Sequence, residues 1–548
     1  MSDAIQTADL DWQCINGIDI PICKQCGDVY SSIENGLHPI QHVFIQGHNL
    51  STRLAKLYDF EYFCVGATHF GTGLNVLALW QLWQQVRPDN HSHLHIISVE
   101  KFPLKKADLI RVLAMWPELQ VLAQQLIQAY PLPIAGCHRL DFPEQRFSID
   151  LWLGDANEIF PVIAKTKTVD AWFLDQFFPA CNLQLWQEHI LNHIVRLSDY
   201  GTTFTASSVE DVLKQGLSQH GITISCPVAF NNQDLMLKAI WSFPESKQQD
   251  RIKTTTQASI QLNTVETFRQ RQIAIIGAGI AGLNCAWAFA QRGHQVMIYD
   301  QSAPLTGASG NPLALLNPKL SPIEQSSEHL MTLSWQFALN HYQKFKAFRP
   351  ISVNQLVQKD PQESLDLAHQ YSQTVFEYQT AAQLELTTQF DNLKLKHAGA
   401  IYPQQLCDQI LDHPLIHFQQ AEISDCLKLE NSQIQILNHI KEEIGAFDHV
   451  VVCCAGASKN FFSYFPRLRP IRGQVSWLEN VGHTLDQQQA YSFGGYCMQL
   501  DTQRLIIGAS FYPEREDSEV LLEDHVHNYD LIHSAFPEYA ESLAHPSE

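Results

Sequence analysis

IAIIGAGIAGLNCAWAFAQRGHQVMIYD, residues 273–300, decides the fold of the second half of the chain. An apolar strand runs into Gly277, Gly279 and Gly282 in the spacing G-x-G-x-x-G, and an amphipathic helix and a second strand, HQVMIYD, follow. Each glycine has a task in this setting. The first permits a tight turn, the second lets the backbone approach a pyrophosphate, and the third allows close packing of helix on strand. The start of the helix offers free N–H groups and the positive end of its dipole to phosphate oxygens. Asp300 closes the second strand about 20 residues on, where a carboxylate can accept from ribose hydroxyls. Glycines alone would fit a structural turn; strand, turn, helix, strand and acid in this order predict a dinucleotide-binding βαβ unit.

The glycine spacing does not separate FAD from a nicotinamide, but the following residues do. GASGNPLALLNPKL (307–320) resembles the segment with which D-amino-acid-oxidase-like flavoproteins wrap FAD. Its small residues Ser309, Gly310 and Asn311 would let backbone donors approach the cofactor, as in an anion-binding nest. DHVVVCCAGAS (448–458) resembles a later strand and glycine turn of that class, and RPIRGQVSWL (469–478) a strand of its substrate subdomain.

In the first half, VGATHFGTGLNVLALW (65–80) also passes from strand through a glycine turn into a helix. Gly71 and Gly73 make a turn of the kind that accommodates the methionine part of S-adenosylmethionine (SAM), with Asn75 opening the helix. Glu100 ends the next strand, ISVEKFPL, where it can bind ribose hydroxyls. Asp155 and Ala156, in WLGDANEIF, follow a third strand at the place where such folds contact adenine. Asp175 ends VDAWFLD ahead of an aromatic turn, QFFPACN. Ligands gather at the carboxyl ends of parallel strands, and all four signals fall there. Any one of these acids could instead be a helix cap or a turn residue.

The 548 residues exceed what one hydrophobic core normally serves. Residues 244–271 are polar and poor in large apolar side chains, which is linker composition. We therefore expect a SAM-dependent methyltransferase domain over 1–243, a linker over 244–270 and an FAD-dependent oxidoreductase domain over 271–548. The fold class is α/β, a Rossmann-like methyltransferase followed by a D-amino-acid-oxidase-like FAD fold. A formal net charge of −21 disfavours generic binding to DNA or anionic membranes, though a local basic patch could still hold an RNA. No signal peptide opens the sequence and no apolar run reaches the ~18 residues of a membrane span, so a cytoplasmic protein is expected. The 13 cysteines read as reduced thiols, and the single Cys23–Cys26 CxxC has no second pair, so no metal site is expected.

FGTGLN, SVEKFPL, LWLGDA, DAWFLD, IAIIGAGIAG, GASGN, RGQVS and GASFYPEREDSE, taken in order with the opening DVYSSIENGLHPIQHVFI, resemble the bacterial bifunctional tRNA 5-methylaminomethyl-2-thiouridine biosynthesis proteins, the MnmC family. The resemblance covers essentially the whole chain. It implies two steps on the wobble uridine of tRNA. An FAD module removes the carboxymethyl group from 5-carboxymethylaminomethyl-(2-thio)uridine, and a SAM module then methylates the 5-aminomethyl product. It further implies Asp175 as the carboxylate that orients the amine or takes its proton, Phe177 and Phe178 as platforms for a splayed base, and Arg472 either as a holder of the substrate carboxylate or as a surface ion pair. A monomer is expected.

This chain departs from the family pattern at several points. Ala67 and His69 stand where the family has Glu and Gly, and His69 is expected to crowd the cofactor if its backbone needs positive φ. Gln176, Phe177 and Phe178 follow Asp175, and Gln233, Asp234 and Leu235 stand where the family carries a basic Lys-Arg-Glu. The sequence ends at HPSE without the further glycine-rich turn and helix that usually cover the flavin, which leaves weak FAD binding as an expectation. These departures motivate an alternative, a fold-retaining relative that binds without one or both activities; an unrelated amine oxidase with an appended domain fits the motifs less well.

Overall fold

The computed structural model describes residues 5–15, 18–24, 37–164, 169–174, 188–227, 235–242, 268–318, 322, 326–462, 468–479 and 484–545. The chain divides into two compact units, Met1–Arg269 and Gln270–Glu548. Most of the expected linker lies outside the described residues.

In the first unit β1 (Leu10–Ile15) and β2 (Ile18–Cys23) form a hairpin. β3 (Tyr62–Ala67), β4 (His93–Glu100), β5 (Gly136–Phe142), β6 (Phe147–Leu153), β7 (Ala171–Phe173), β8 (Thr203–Ala206), β9 (Thr223–Ser225) and β10 (Leu237–Ile240) make one sheet in the order β5-β6-β4-β3-β7-β8-β10-β9. The middle five strands are parallel, and β5, β10 and β9 add antiparallel edges. Parallel strands need both faces covered, so they read as continuous apolar runs. Here Phe63, Val65, Leu94, Ile96, Phe147 and Ile149 pack on one face with Trp80 and Trp83 of the helix Leu74–Val86. Cys64, Trp172, Phe204 and Phe160 pack on the other, with Ile190 and Ile194 of the helix Glu188–Arg196.

In the second unit β11 (Gln272–Ile276) leads into the helix Ile280–Ala290 and β12 (Gln295–Asp300). There follow β13 (Ala314–Leu316), β14 (Phe348–Leu356), β15 (Phe376–Gln379), β16 (Asn392–Ile401), β17 (Ile416–Gln420), the meander β18 (Ile423–Lys428), β19 (Ile434–Asn438), β20 (Glu443–Phe447), and β21 (His449–Val452). Parallel pairing in the order β17-β12-β11-β21 makes the nucleotide-binding sheet that the glycine motif predicts. The later strands β22 (Ile471–Arg472), β23 (Val475–Glu479), β24 (Gln489–Ser492), β25 (Tyr496–Gln499), β26 (Arg504–Gly508) and β27 (Tyr512–Pro513) complete the unit. A mixed sheet, β13-β16-β14-β24-β25-β26-β23, forms its second layer. Among the described residues no helix is long and apolar enough to cross a membrane.

Candidate functional site

In the first unit the expected residues meet at the carboxyl ends of β3, β4 and β6. Gly71 and Gly73 both adopt left-handed backbone, φ +58° and +74°, a conformation that costs a residue with a Cβ roughly 1–2 kcal/mol. A Cβ on Gly73 would also press on the Phe70 ring. The turn is pinned to the sheet: the Phe70 N–H donates to the Val99 carbonyl, and the Gly71 N–H donates to Glu100 Oε2 at 2.8 Å. Glu100 is buried at the tip of β4, and its Oε1 accepts from the Phe102 N–H at 2.8 Å. His69 is buried against the same carboxylate, with Nδ1 3.2 Å from Oε2. His69 is not among the positive-φ residues, so its side chain is accommodated without the backbone strain that a glycine position might demand.

Asp155 caps the helix Ala156–Val162, accepting from the Asn157 N–H at 2.8 Å, and pairs with Lys101 at 2.7 Å. Burial works to raise its carboxyl, but Lys101 and Asn157 outweigh that and hold it below the usual range. It is thus a helix cap whose remaining oxygen faces a cation. Asn75 lies in the first turn of the helix Leu74–Val86. Asp175, Phe177 and Phe178 lie outside the described residues, as do Cys26, Gln233 and Asp234; the strand that leads to Asp175, β7, is placed.

Sequence reasoning missed what supports β7 from below. His48 is buried beneath it: Nδ1 meets Thr203 Oγ1 at 2.7 Å, Nε2 lies 3.1 Å from the Trp172 carbonyl and 2.9 Å from Thr205 Oγ1, and the ring stacks on Phe173. Burial, and then the charge of Arg53, push His48 down to about 3. Its partners are more than 120 residues away in sequence, and no local signal marks it. Lys101 was missed too, although it directly follows Glu100 in SVEKFPL.

The second unit repeats the logic of the first. Gly277 is left-handed at φ +109°, and its α-carbon lies against the Cys453 carbonyl, where a Cβ would collide. A Cβ on Gly282 would strike the Gly277 carbonyl, so the third glycine lets the helix approach the turn. Gly279 is extended, with Ser309 beside it. Asp300 Oδ2 accepts from the Ala278 N–H at 2.8 Å and Oδ1 from the Ser302 N–H at 3.0 Å. The Ser309 hydroxyl accepts from the Ile280 N–H at 3.0 Å, which places the 307–311 segment across the start of the helix. Gly310 packs on the Leu305 carbonyl where no Cβ fits, and Asn311 is exposed beside it. Close backbone approach, a helix N-terminus and a carboxylate at the end of the second strand are what a dinucleotide requires, so these residues fit FAD.

Arg472 has a different setting. Its side chain is 4% exposed, with Nη1 2.5 Å from Asp524 Oδ2 and Nε 2.9 Å from Asp517 Oδ1. Nη2 reaches Gln474 Oε1 and the Glu519 carbonyl. Of its two expected readings the geometry gives the ion pair, buried rather than at the surface. Among the described residues no group of three or more His, Cys, Asp or Glu is arranged to hold a metal.

Two family models match: S-adenosyl-L-methionine-dependent methyltransferase over residues 117–242, and FAD dependent oxidoreductase over 272–547. The chain is 58% identical over 543 residues to the tRNA 5-methylaminomethyl-2-thiouridine biosynthesis bifunctional protein MnmC of Acinetobacter baylyi, covering 99% of this chain and 85% of that protein. The chain belongs to the MnmC family. A second member, from Psychrobacter cryohalolentis, is 34% identical over 593 aligned positions, covering 98% of this chain and 84% of that protein. The methyltransferase match begins beyond Gly71, Gly73 and Glu100, so the cofactor turn of the first unit rests on its own geometry and on the full-length relatives.

Proposed function

We propose that this protein modifies the wobble uridine of tRNA in two steps, FAD-dependent removal of the carboxymethyl group from 5-carboxymethylaminomethyl-(2-thio)uridine and SAM-dependent methylation of the aminomethyl product. The observation that carries it is one arrangement found twice. In each unit a carboxylate at the end of the second strand accepts the N–H of a glycine turn at 2.8 Å, Glu100 from Gly71 and Asp300 from Ala278. Two nucleotide-cofactor sites within one chain of this family are what a two-step modification needs.

The domains would be 1–243 and 271–548, joined by 244–270. Gly71, Gly73, Asn75, Glu100, Asp155 and Ala156 would hold SAM, the methyl donor. Gly277, Gly279, Gly282, Asp300, Ser309, Gly310 and Asn311 would hold FAD, the hydride acceptor. Asp175 would orient the substrate amine and take its proton, since only the neutral amine is nucleophilic. Phe177 would stack on the base. Arg472 would act by fixing the segment that carries Asp517 and Asp524. The protein is read as cytoplasmic, with tRNA as its partner.

The test is mass spectrometry of nucleosides from hypomodified tRNA incubated with the protein. Aminomethyl product without SAM and methylaminomethyl product with it are expected. Unchanged nucleosides despite bound FAD and SAM would favour the binding-only alternative. Asp175→Ala should abolish methylation and leave the flavin spectrum intact; loss of both would make Asp175 structural.

A further inference from the structure

Glu100 turns both of its carboxylate oxygens toward the protein. Oε2 accepts from the Gly71 N–H and faces His69 Nδ1 at 3.2 Å, while Oε1 accepts from the Phe102 N–H. A carboxylate has about four lone-pair positions. With Nδ1 carrying its proton, both positions on Oε2 are filled and one remains, on Oε1. A cofactor ribose presents two neighbouring hydroxyls.

We propose that His69 is a specificity-determining residue of the SAM site: by filling the second position on Glu100 Oε2, it limits Glu100 to a single ribose hydroxyl. This rests on the assignment of the Gly71 turn to SAM. The ring is placed to do it. It is 7% exposed, and it lies over the turn, so that a Cβ on Gly71 would come within 3.0 Å of its Nε2. Its backbone carries no left-handed strain that would favour moving it away. A residue without a side-chain donor at position 69 would leave Oε2 with one amide and one open position. The two oxygens could then take the two hydroxyls together. The methyl-transfer chemistry is untouched by this; what changes is how the cofactor is recognised.

The experiment is calorimetric titration of the full-length protein with S-adenosylhomocysteine and with its 2′-deoxy and 3′-deoxy analogues. Wild type, His69→Ala and His69→Gln are compared, with flavin absorbance as a check that the second unit is intact. In wild type, removal of one hydroxyl should weaken binding about tenfold, as expected for a hydrogen bond to a charged acceptor, and removal of the other by less than about twofold. His69→Ala should bind S-adenosylhomocysteine several-fold tighter and lose about tenfold on removal of either hydroxyl. His69→Gln keeps an N–H donor and should behave as wild type. Equal dependence of wild type on both hydroxyls overturns the proposal, as does an unchanged pattern in His69→Ala. Failure of wild type to bind S-adenosylhomocysteine at all would overturn the SAM assignment and the proposal with it.

Discussion

Acidification should destabilise the first unit through His48. The imidazole is held neutral between Thr203, Thr205 and the Trp172 carbonyl, with a pKa lowered to about 3 in the folded protein. An exposed histidine in the unfolded chain titrates near 6.5. Between about pH 6.5 and 3 the unfolded state therefore binds a proton that the folded state refuses, so stability falls as the pH falls. Each unit of pH in that window costs about 1.4 kcal/mol. From pH 6.5 to 5.0 the loss is about 2 kcal/mol, or roughly 4–8 °C in the melting temperature of a unit this size. Differential scanning calorimetry of wild type and His48→Gln at pH 7.5 and 5.0 measures it. Glutamine has no proton to gain, so the variant should lack this share of the pH-dependent drop even if it melts lower at pH 7.5. Equal drops in the two proteins would show that His48 is not the titrating group, and the reasoning would fail.

Gly282→Ala places a methyl group against the Gly277 carbonyl and should weaken FAD binding at least tenfold, read as flavin absorbance per protein, while leaving S-adenosylhomocysteine binding unaltered; full flavin content would refute the close-packing argument. Asp155→Ala removes a helix cap worth about 1 kcal/mol and the partner of Lys101. It should lower the melting of the first unit by roughly 2–4 °C, whereas Asp155→Asn should retain most of the cap. Asp524→Leu leaves the Arg472 charge enclosed with one carboxylate fewer and should lower the melting of the second unit, and adding Arg472→Met should restore much of the loss. A double variant no more stable than Asp524→Leu would count against the ion-pair account.

The glycine turns and the carboxylates that follow them were legible because their chemistry is local. A left-handed residue or a close backbone approach demands glycine at a fixed offset from a strand, and residues 65–80 and 273–300 carry that demand in their order. The parallel strands were legible as apolar runs for the same reason. The antiparallel β5 was not, because GCHRLDF alternates weakly and owes its place to pairing with β6. The mixed sheet of the second unit is assembled from short strands with sequence-distant partners, such as β14 on β24. Arg472 could be read only as an ion pair or a substrate ligand until Asp524, 52 residues later, was seen against it. At His69 the sequence raised crowding of the cofactor, and the fold instead turned the ring onto Glu100.

The Ser309 hydroxyl on the Ile280 amide makes the start of that helix a place where one acceptor is exchanged for another. A neutral oxygen already sits on this N–H before any phosphate arrives, and the segment that brings it is tied down at Leu305 and Gly310. Little chain entropy is then left to lose when the cofactor docks, because the cradle need not be ordered first. The gain comes from replacing a hydroxyl by an anion at the positive end of a helix, an electrostatic increment that salt should erode.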